Sequence, residues 1–286
     1  MSVFTVENLA GKQDRVFKCE HPALERLLRI LDLEGGINFR DLGGYRTRDG
    51  RELQWGRVYR TGVLSYLTAN DERQLHRLRV RAICDLRRAE EREREKTRWP
   101  DTDTQHLSWS DGSAPPIIRS FMTNHPFTAT GMHAAMIDFY RALPAWMVPR
   151  LRGMFERIAR GDVPVLVHCA AGKDRTGIAI ALLLAVLDVP HETIIEDYLL
   201  TNDACDIVQF IVKQHQAQMG LEGSDHPLLA MPDDVRRALF IAHADYLHAA
   251  LDRIARDHGD VTEFLRREIG VDDSMRGKVR AALLSK

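Results

Sequence analysis

The sequence is poor in cysteine: its 286 residues include four, Cys19, Cys84, Cys169 and Cys205. Their wide spacing fits neither a disulfide framework nor the paired cysteines of a structural zinc site. Cysteine used in this way is typical of proteins in a reducing compartment. We therefore expect free thiols.

The sequence also lacks a charge imbalance and a long hydrophobic run. The formal net charge is −1, so no overall field favours binding to nucleic acid or to an acidic membrane. The longest apolar run, residues 177–187, is shorter than the roughly 20 residues that span a bilayer. The N-terminal MSVFTVENLAGKQ lacks the basic and apolar regions of a signal peptide. We expect no transmembrane segment and a protein that is cytoplasmic, or exported without a recognisable signal peptide.

Short apolar runs alternate with helical patterns along much of the chain. Apolar residues make up 44% of the sequence, which is enough for a sizeable core. Residues 80–86 and 163–167 predict buried strands, and residues 58–59 and 104–109 predict further ones. Strands that alternate with helices favour an α/β fold with a mostly parallel central sheet. Because no linker is evident, we expect one domain over residues 1–286 with extra C-terminal helices.

Four segments of the chain have helical patterns. Residues 132–160 predict a long helix that is interrupted near Pro144 and Pro149. Residues 204–218 and 232–243 predict two helices on either side of a polar break. The charge run RRAEEREREKTR, residues 87–98, favours a solvated helix over an interaction surface.

The most informative stretch is VLVHCAAGKDRTGIAIALLL, residues 165–184. It predicts a strand, a tight loop and a buried helix, with Cys169 at the carboxyl end of the strand, where ligands of open α/β sheets bind. Gly172 permits an unusual backbone angle. Inward-pointing amides of Ala170, Ala171 and Gly172 would form an anion nest, to which the N-terminus of the next helix adds positive charge. This environment favours the thiolate of Cys169 and makes it a nucleophile.

Arg175 and Thr176 complete a site for a tetrahedral dianion. The planar fork of Arg175 matches two phosphate oxygens, and the hydroxyl of Thr176 can donate to the thiolate as it leaves. His168 is expected to hold the loop rather than to act as a base. The pattern His168-Cys169-x5-Arg175-Thr176 resembles the signature of the cysteine-dependent tyrosine phosphatase superfamily. A buried cysteine beside a surface arginine would leave the glycine, the threonine and the flanking elements unexplained.

Further motifs are similar to one branch of that superfamily. They are NFRDLGGY (38–45), YRTGVLSYLT (59–68), CDLRR (84–88), HCAAGKDRTG (168–177) and DYLLTND (197–203). Together they resemble the atypical bacterial and fungal phosphatases of the secreted mycobacterial and Listeria type. The resemblance implies hydrolysis of phosphotyrosine, of phosphoserine or phosphothreonine, and of phosphoinositides. It also implies no metal or other cofactor, and a helical lid, which we assign to residues 204–243.

The basic residues near the loop leave two interpretations open. Arg40 and Arg60 would bind an acidic substrate, or they would brace the loop together with Asp41. Lys173 would contact an additional phosphate of a phosphoinositide head group, or it would pair with Asp174 or Asp85 and maintain the loop. We list Arg40, Arg60 and loop residues 170–173 as candidate substrate-binding residues.

Four aspartates compete for the role of the general acid. Asp101 lies in a Trp-Pro-Asp sequence like that of an acid loop, but it is too far from Cys169 and precedes a strand. Asp85 ends a neighbouring strand and is expected to orient the loop. Asp111 follows the strand predicted at residues 104–109 and is the second candidate. Asp174 is the candidate that the family resemblance favours, and the loop itself carries it to the phosphate.

Other classes of function remain as alternatives. A catalytically weak phospho-binding module would need no nucleophile. A rhodanese-like or arsenate-reducing enzyme also uses a loop cysteine but has no need of Arg175 with Thr176. The sequence HADYLH contains His243 and His248 at an i,i+5 spacing, which places the imidazoles on different faces of a helix. We therefore expect no metal site from this pair. The expected partners are phosphorylated proteins, peptides and phosphoinositides, and no nucleic acid.

Overall fold

The computed structural model describes residues 28–112, 115–219 and 226–286; the segment examined for a signal peptide lies outside these ranges. Strands and helices alternate in the amino-terminal part, and helices alone follow. The strands are β1 (Arg40–Asp41), β2 (Val58–Thr61), β3 (Ala82–Asp85), β4 (Gln105–Leu107) and β5 (Val165–His168). The helices are α1 (Ala69–His76), α2 (Ala89–Arg94), α3 (Ile118–Met122), α4 (Ala129–Ala159), α5 (Asp174–Val186), α6 (His191–Leu199), α7 (Thr201–Ala204), α8 (Ile207–Met219), α9 (Asp233–Phe240), α10 (Ala244–His258), α11 (Val261–Phe264) and α12 (Asp273–Leu283), with a π-helical turn at Leu265–Ile269.

The strands form one sheet in the order β1-β2-β5-β3-β4. Strands β2, β5, β3 and β4 are parallel, and the edge strand β1 is antiparallel to β2. The predicted α/β fold with a mostly parallel sheet is confirmed. Because β5 lies at the centre, the residues after it leave the middle of the carboxyl edge, where open α/β sheets bind their ligands.

The two faces of the sheet contribute to separate cores, since successive side chains of a strand point to opposite faces. Val165 and Val167 of β5 join the larger core, whereas Leu166 joins a smaller one with Ile83 and Tyr59. Helices α4 and α5 cover the larger side, and α5 is buried on nearly every face. Burial of one leucine side chain contributes about 1.5–3 kcal/mol. The apolar helix therefore fixes the end of the loop that precedes it.

The predicted interruption of the long helix near Pro144 and Pro149 is wrong. Helix α4 continues through both prolines for 31 residues. A proline inside a helix costs about 3 kcal/mol because it removes a hydrogen bond and clashes with a carbonyl. Packing of α4 against α3, α9, α10 and α12 outweighs that local penalty. Among the described residues, no helix is both long and apolar enough to cross a membrane.

A buried carboxylate joins α6 to the sheet. Asp197 accepts hydrogen bonds from Arg60 Nη1 at 2.5 Å, from the Tyr45 hydroxyl at 3.1 Å and from Arg40 Nε at 3.3 Å. Burial and the neighbouring Arg60 lower the pKa of Arg40 to about 10, which leaves it cationic at neutral pH. Burial alone would raise the pKa of Asp197, but the two guanidiniums hold it below its ordinary value. The three charges therefore act as one unit in the core.

Replacing Asp197 with asparagine should lower the free energy of unfolding by about 3–5 kcal/mol, because two buried cations would lose their counterion. Equilibrium unfolding in urea measures this change. The matched control is Glu196→Gln, which alters the exposed preceding residue of α6 and should change stability by less than about 0.5 kcal/mol. An Asp197→Asn variant as stable as this control would contradict the role given to the carboxylate.

Candidate active site

The loop between β5 and α5 carries the cysteine singled out by the sequence. Cys169 directly follows β5, is a free thiol, and is 1% exposed. Gly172 has a φ of 68°, in the left-handed region that favours glycine. A Cβ at this position would lie 2.6 Å from the carbonyl oxygen of Thr61 in β2. Glycine therefore allows the loop to pass close to the end of β2.

The loop carbonyls are hydrogen-bonded on the outer side of the loop. The backbone amide of Val63 donates to the carbonyl of residue 170 at 2.8 Å. Asn38 Nδ2 donates to the carbonyls of residues 171 and 172 at 3.2 and 3.0 Å, and Arg60 Nη2 donates to that of residue 172 at 2.8 Å. Three consecutive carbonyls are thus fixed by groups from outside the loop.

These bonds determine where the loop amides point. A trans peptide unit is planar, and its N–H is directed away from its C=O. The amides of residues 171–173 therefore face the inner side of the loop. Helix α5 begins at Asp174, so the partial positive charge of its N-terminus lies next to them. Amides arranged in this way can bind a tetrahedral anion.

Two buried polar side chains flank this loop. Thr176 Oγ1 has no hydrogen-bond partner within the described part of the chain, so its hydroxyl is free to donate to a thiolate or a bound anion. His168 Nδ1 lies 3.3 Å from the Cys169 carbonyl oxygen, and its Nε2 lies 3.5 Å from Asp85 Oδ2. Burial lowers the pKa of His168 to about 4. The ring is therefore neutral at physiological pH and provides no positive charge to Cys169.

Arg175 forms a bidentate ion pair with Glu91 of α2. Its Nη1 donates to Glu91 Oε2 at 2.6 Å, and its Nη2 donates to Oε1 at 2.8 Å. The pair engages two of the five N–H donors of a guanidinium and leaves the others for an anion. Burial alone would raise the pKa of Glu91, but Arg175 lowers it to about 2. Glu91 is therefore ionised and fixes the orientation of the arginine fork.

Sequence reasoning missed Glu91 because it treated residues 87–98 as a solvated helix. Helix α2 is shorter than that segment, and Glu91 is buried within it. Glu91 Oε2 also accepts a hydrogen bond from the backbone amide of Arg88 at 2.8 Å, as the third helical residue of a capping box does. The spacing of Arg88 and Glu91 marks a helix start, but no local pattern reveals the distant partner Arg175.

Asp111, the second candidate for the general acid, has both carboxylate oxygens engaged. Oδ1 accepts from Arg150 Nη2 at 3.0 Å, and Oδ2 accepts from the backbone amide of Ala89 at 2.9 Å. The second bond is made to the first residue of α2. Asp111 therefore connects α2, and with it Glu91, to the long helix α4.

Asp174 has one carboxylate oxygen engaged. Its Oδ1 accepts from the Tyr140 hydroxyl at 2.7 Å and lies 3.4 Å from Lys173 Nζ. The Tyr140 hydroxyl in turn lies 2.6 Å from that of Tyr198. Oδ2 accepts no hydrogen bond from any residue in the described ranges, and the side chain is 22% exposed. Asp174 is thus positioned through one oxygen while the other remains open.

The remaining two aspartates have partners of their own. Asp101 lies 2.5 Å from His76 Nδ1 of α1 and precedes β4, so it is at the amino edge of the sheet, opposite the loop. Asp85 accepts from Arg87 Nε at 2.9 Å and from Arg87 Nη2 at 2.6 Å. Burial alone would raise the pKa of Asp85, but His168, which is protonated in the acid range where this carboxyl titrates, and Arg87 hold it well below its usual range.

The three basic residues expected to bind substrate are buried. Lys173 Nζ donates to the carbonyl oxygen of Leu239 in α9 at 2.7 Å. Arg40 and Arg60 pair with Asp197 and have fully buried side chains. Arg60 also contacts the loop at the carbonyl of residue 172, and none of the three side chains faces solvent. Their part in substrate binding stays a prediction.

Comparison with known proteins adds a further finding. A family profile described as "Tyrosine phosphatase family" matches residues 31–285. The chain is 31% identical over 242 residues to the "Putative tyrosine-protein phosphatase" of Cupriavidus necator, with 82% of each chain covered. It is 28% identical over 285 residues to the "Triple specificity protein phosphatase PtpB" of Mycobacterium tuberculosis, which covers 90% of this chain and 100% of that protein. A "Tyrosine-protein phosphatase" of Nostoc commune is 32% identical over 150 residues, or 50% of this chain and 47% of that protein.

Replacing Glu91 with glutamine should weaken the binding of tungstate, a tetrahedral oxyanion, about tenfold or more. Arg175 would lose its charge-assisted bidentate partner, and hydrogen bonds to charged groups contribute about 1.5–3 kcal/mol. Isothermal titration calorimetry on the full chain measures the affinity. The matched control is Glu90→Gln, because the Glu90 side chain is 70% exposed.

Acid sensitivity provides a second readout of the same pair. The pKa of Glu91 is lowered from 4.5 to about 2 by Arg175, so its stabilisation is complete above pH 4.5 and is lost as the pH falls through 2. Wild type and Glu90→Gln should lose this part of their stability in that window, and Glu91→Gln should not. Equal tungstate affinity and equal acid profiles in both variants would show that Glu91 does not position Arg175.

Proposed function

The chain belongs to the tyrosine phosphatase family, and from this membership we propose that it hydrolyses phosphotyrosine in proteins and peptides through a cysteinyl-phosphate on Cys169. The observation that carries the proposal is the loop itself. Its carbonyls are bonded on the outer side, Cys169 lies at its start, and Arg175 is oriented by Glu91. A phosphate bound by the inner amides and the arginine fork would place its phosphorus above the sulfur.

In the first step, the thiolate of Cys169 attacks the phosphorus. An S–P bond forms as the P–O bond to tyrosine breaks, and the bonding electron pair passes to the tyrosine oxygen. That oxygen takes a proton from Asp174, whose Oδ2 is the unengaged atom. The loop amides and Arg175 stabilise the charge that develops on the three equatorial oxygens, as preorganised donors do in such transition states.

In the second step, a water molecule attacks the cysteinyl-phosphate. Asp174, now ionised, accepts one proton from the water as its oxygen bonds to phosphorus. The S–P bond breaks, and its electron pair returns to Cys169 as a thiolate, which the free hydroxyl of Thr176 can stabilise by donating a hydrogen bond. Release of inorganic phosphate restores the starting site. Over one cycle, one phosphotyrosine and one water molecule are converted to tyrosine and inorganic phosphate, and Cys169 and Asp174 return to their starting forms.

The contacts of the two candidate acids favour Asp174. A general acid must present an oxygen to the leaving group. Both oxygens of Asp111 accept hydrogen bonds from Arg150 and Ala89, whereas one oxygen of Asp174 is open. We therefore assign proton transfer to Asp174 and support of α2 to Asp111.

The substrate range is proposed to extend beyond phosphotyrosine to phosphoserine, phosphothreonine and phosphoinositides. Support comes from the Mycobacterium tuberculosis relative, whose name describes a triple specificity phosphatase, and from Lys173 beside the phosphate site. Lys173 would reach an additional phosphate once its bond to the Leu239 carbonyl opens. Its present pairing with Asp174 agrees with the structural alternative, and its bond to the Leu239 carbonyl is a further contact.

Helices α8 and α9 are proposed to act as a lid. The predicted lid spans residues 204–243, of which residues 220–225 lie outside the described ranges. Helix α9 contacts the loop through Leu239 and Lys173, and Asn202 exchanges two hydrogen bonds with the backbone of Ala242 at 2.9 and 2.7 Å. Because Cys169 is 1% exposed, a phosphorylated side chain needs some of the covering residues to move before it reaches the sulfur.

Cys169→Ser should reduce turnover of p-nitrophenyl phosphate and of a phosphotyrosine peptide to below about one hundredth of wild type, because a serine hydroxyl does not ionise at neutral pH. Cys205→Ser is the matched control and should retain activity. Acid quenching with radiolabelled substrate should trap phosphate on wild type and not on Cys169→Ser.

The same proteins separate the alternatives. A binding module would show no turnover in wild type, and a rhodanese-like or arsenate-reducing enzyme would respond to thiosulfate with cyanide or to arsenate instead. Residual activity of Cys169→Ser above a tenth of wild type would refute the thiolate mechanism. A panel of phosphoinositides tests the lipid substrates separately, and no turnover on it would confine the activity to proteins and peptides.

Asp174→Asn should lower kcat by about 10²–10⁴-fold on phenyl phosphate, whose leaving oxygen needs a proton, and by much less on p-nitrophenyl phosphate, whose leaving group is stable as an anion. Asp111→Asn disturbs α2 and Arg175 and should therefore lower kcat by a similar factor on both substrates. Steady-state kinetics on a series of aryl phosphates distinguishes the two patterns. If the loss of kcat depended on the leaving group in Asp111→Asn and not in Asp174→Asn, Asp111 would be the general acid.

A further inference from the structure

Three side chains away from the loop bring metal-ligating atoms together where α9 is followed by α10. His243 and Asp245 lie at the start of α10, and His133 comes from α4. Their ligating atoms all lie within 4.8 Å of one another. Asp245 Oδ2 is 3.4 Å from His133 Nε2 and 3.3 Å from His243 Nδ1. The side chains are 31% exposed for His133 and 53% for each of the other two, so an ion can reach them.

We propose that His133, His243 and Asp245 form a binding site for Zn²⁺. In a tetrahedral site with bonds of about 2.0–2.1 Å, two ligand atoms are about 3.3 Å apart. The two separations from Asp245 Oδ2 match this edge. The third separation, between the two imidazole nitrogens, is at most 4.8 Å. A small side-chain rotation shortens it to the distance that a tetrahedral site requires.

The donor set selects the class of metal. Two imidazoles and one carboxylate suit Zn²⁺, whereas Ca²⁺ and Mg²⁺ prefer sites made of oxygen. Three protein ligands leave the fourth position to water. The single negative charge of Asp245 offsets part of the charge of the cation. The ion has no step in the proposed reaction, so the expectation of a reaction without a metal cofactor is unaffected.

The proposed site does not use the pair His243 and His248, from which no metal site was expected. His248 follows His243 on α10, but its ring stacks on His191 of α6 at 5.5 Å and takes no part in the cluster. The ligand that completes the cluster, His133, comes from a different helix. His243 Nδ1 accepts a hydrogen bond from the Asp245 amide at 3.4 Å, which is long for such a bond. Water can replace Nδ1 at this exposed amide when the nitrogen binds the ion.

The position of the cluster gives an ion a structural consequence. Tyr246, next to Asp245, donates to the carbonyl oxygen of Ala238 in α9 at 2.7 Å. The following carbonyl, that of Leu239, accepts from Lys173 of the loop. An ion that ties His243 and Asp245 to α4 therefore holds the end of α9 against the loop. The inference rests on these contacts and does not depend on the identity of the substrate.

Calorimetric titration of the full chain with Zn²⁺ tests the proposal. The parent protein carries Cys169→Ser, because a reactive thiol is itself a zinc ligand. We expect one equivalent of Zn²⁺ to bind to this parent and to raise its melting temperature, since a ligand of the folded state stabilises it. Adding His133→Ala, or separately Asp245→Asn, should weaken binding at least about tenfold and remove the thermal shift.

The matched control is His248→Ala, which removes another imidazole from α10 and should bind Zn²⁺ like the parent. Melting curves without metal show whether each variant is folded, and two independent ligand variants guard against a local defect in one. No binding to the parent would overturn the proposal. So would binding that His133→Ala and Asp245→Asn leave unchanged, since the ion would then occupy other side chains.

Discussion

The conformation of the loop between β5 and α5 depends on a buried carboxylate, that of Asp197 in α6. Asp197 forms ion pairs with both Arg60 and Arg40 in the core, and Arg60 also donates to the carbonyl of Gly172. Without the carboxylate, a lone guanidinium at this depth would carry the cost of an unpaired buried charge. The loop amides can face an anion because the carbonyls on the other side already have partners. The proposed binding of an anion therefore rests on ion pairs between the sheet and α6.

A second set of contacts holds Arg175 in place. Asp111 holds the first residue of α2, Glu91 of the same helix holds Arg175, and α4 holds Asp111 through Arg150. One set of contacts thus orients the loop and another orients the arginine fork. Donors fixed in this way need little rearrangement when charge develops on a phosphoryl group. The long helix contributes to both parts, since its Tyr140 also positions Asp174.

The parts of the site that are local in sequence could be predicted, and those that join distant segments could not. The apolar runs around residues 80–86 and 163–167 predicted two of the three inner strands, β3 and β5, and the stretch after β5 predicted the loop and α5. The role of Glu91 was not predicted, because a highly charged segment indicates a solvated helix unless its buried partner, here Arg175, is known. His133 of the proposed zinc site was not predicted, because its partners His243 and Asp245 lie on another helix. The predicted interruption of α4 at its prolines was wrong, because packing of this helix against several others outweighs the local backbone penalty of a proline.

The burial of Cys169 also bears on how the protein meets oxidants. A thiolate is the form of cysteine that peroxide attacks, and the first product, a sulfenic acid, is reversible whereas the higher acids are not. With 1% of the residue exposed, peroxide meets the same barrier as a substrate. If α8 and α9 form the proposed lid, the lifetime of the enzyme in an oxidising environment would be set by how often that lid opens, and less by the intrinsic reactivity of the sulfur. A tighter cover would lengthen that lifetime and slow turnover together.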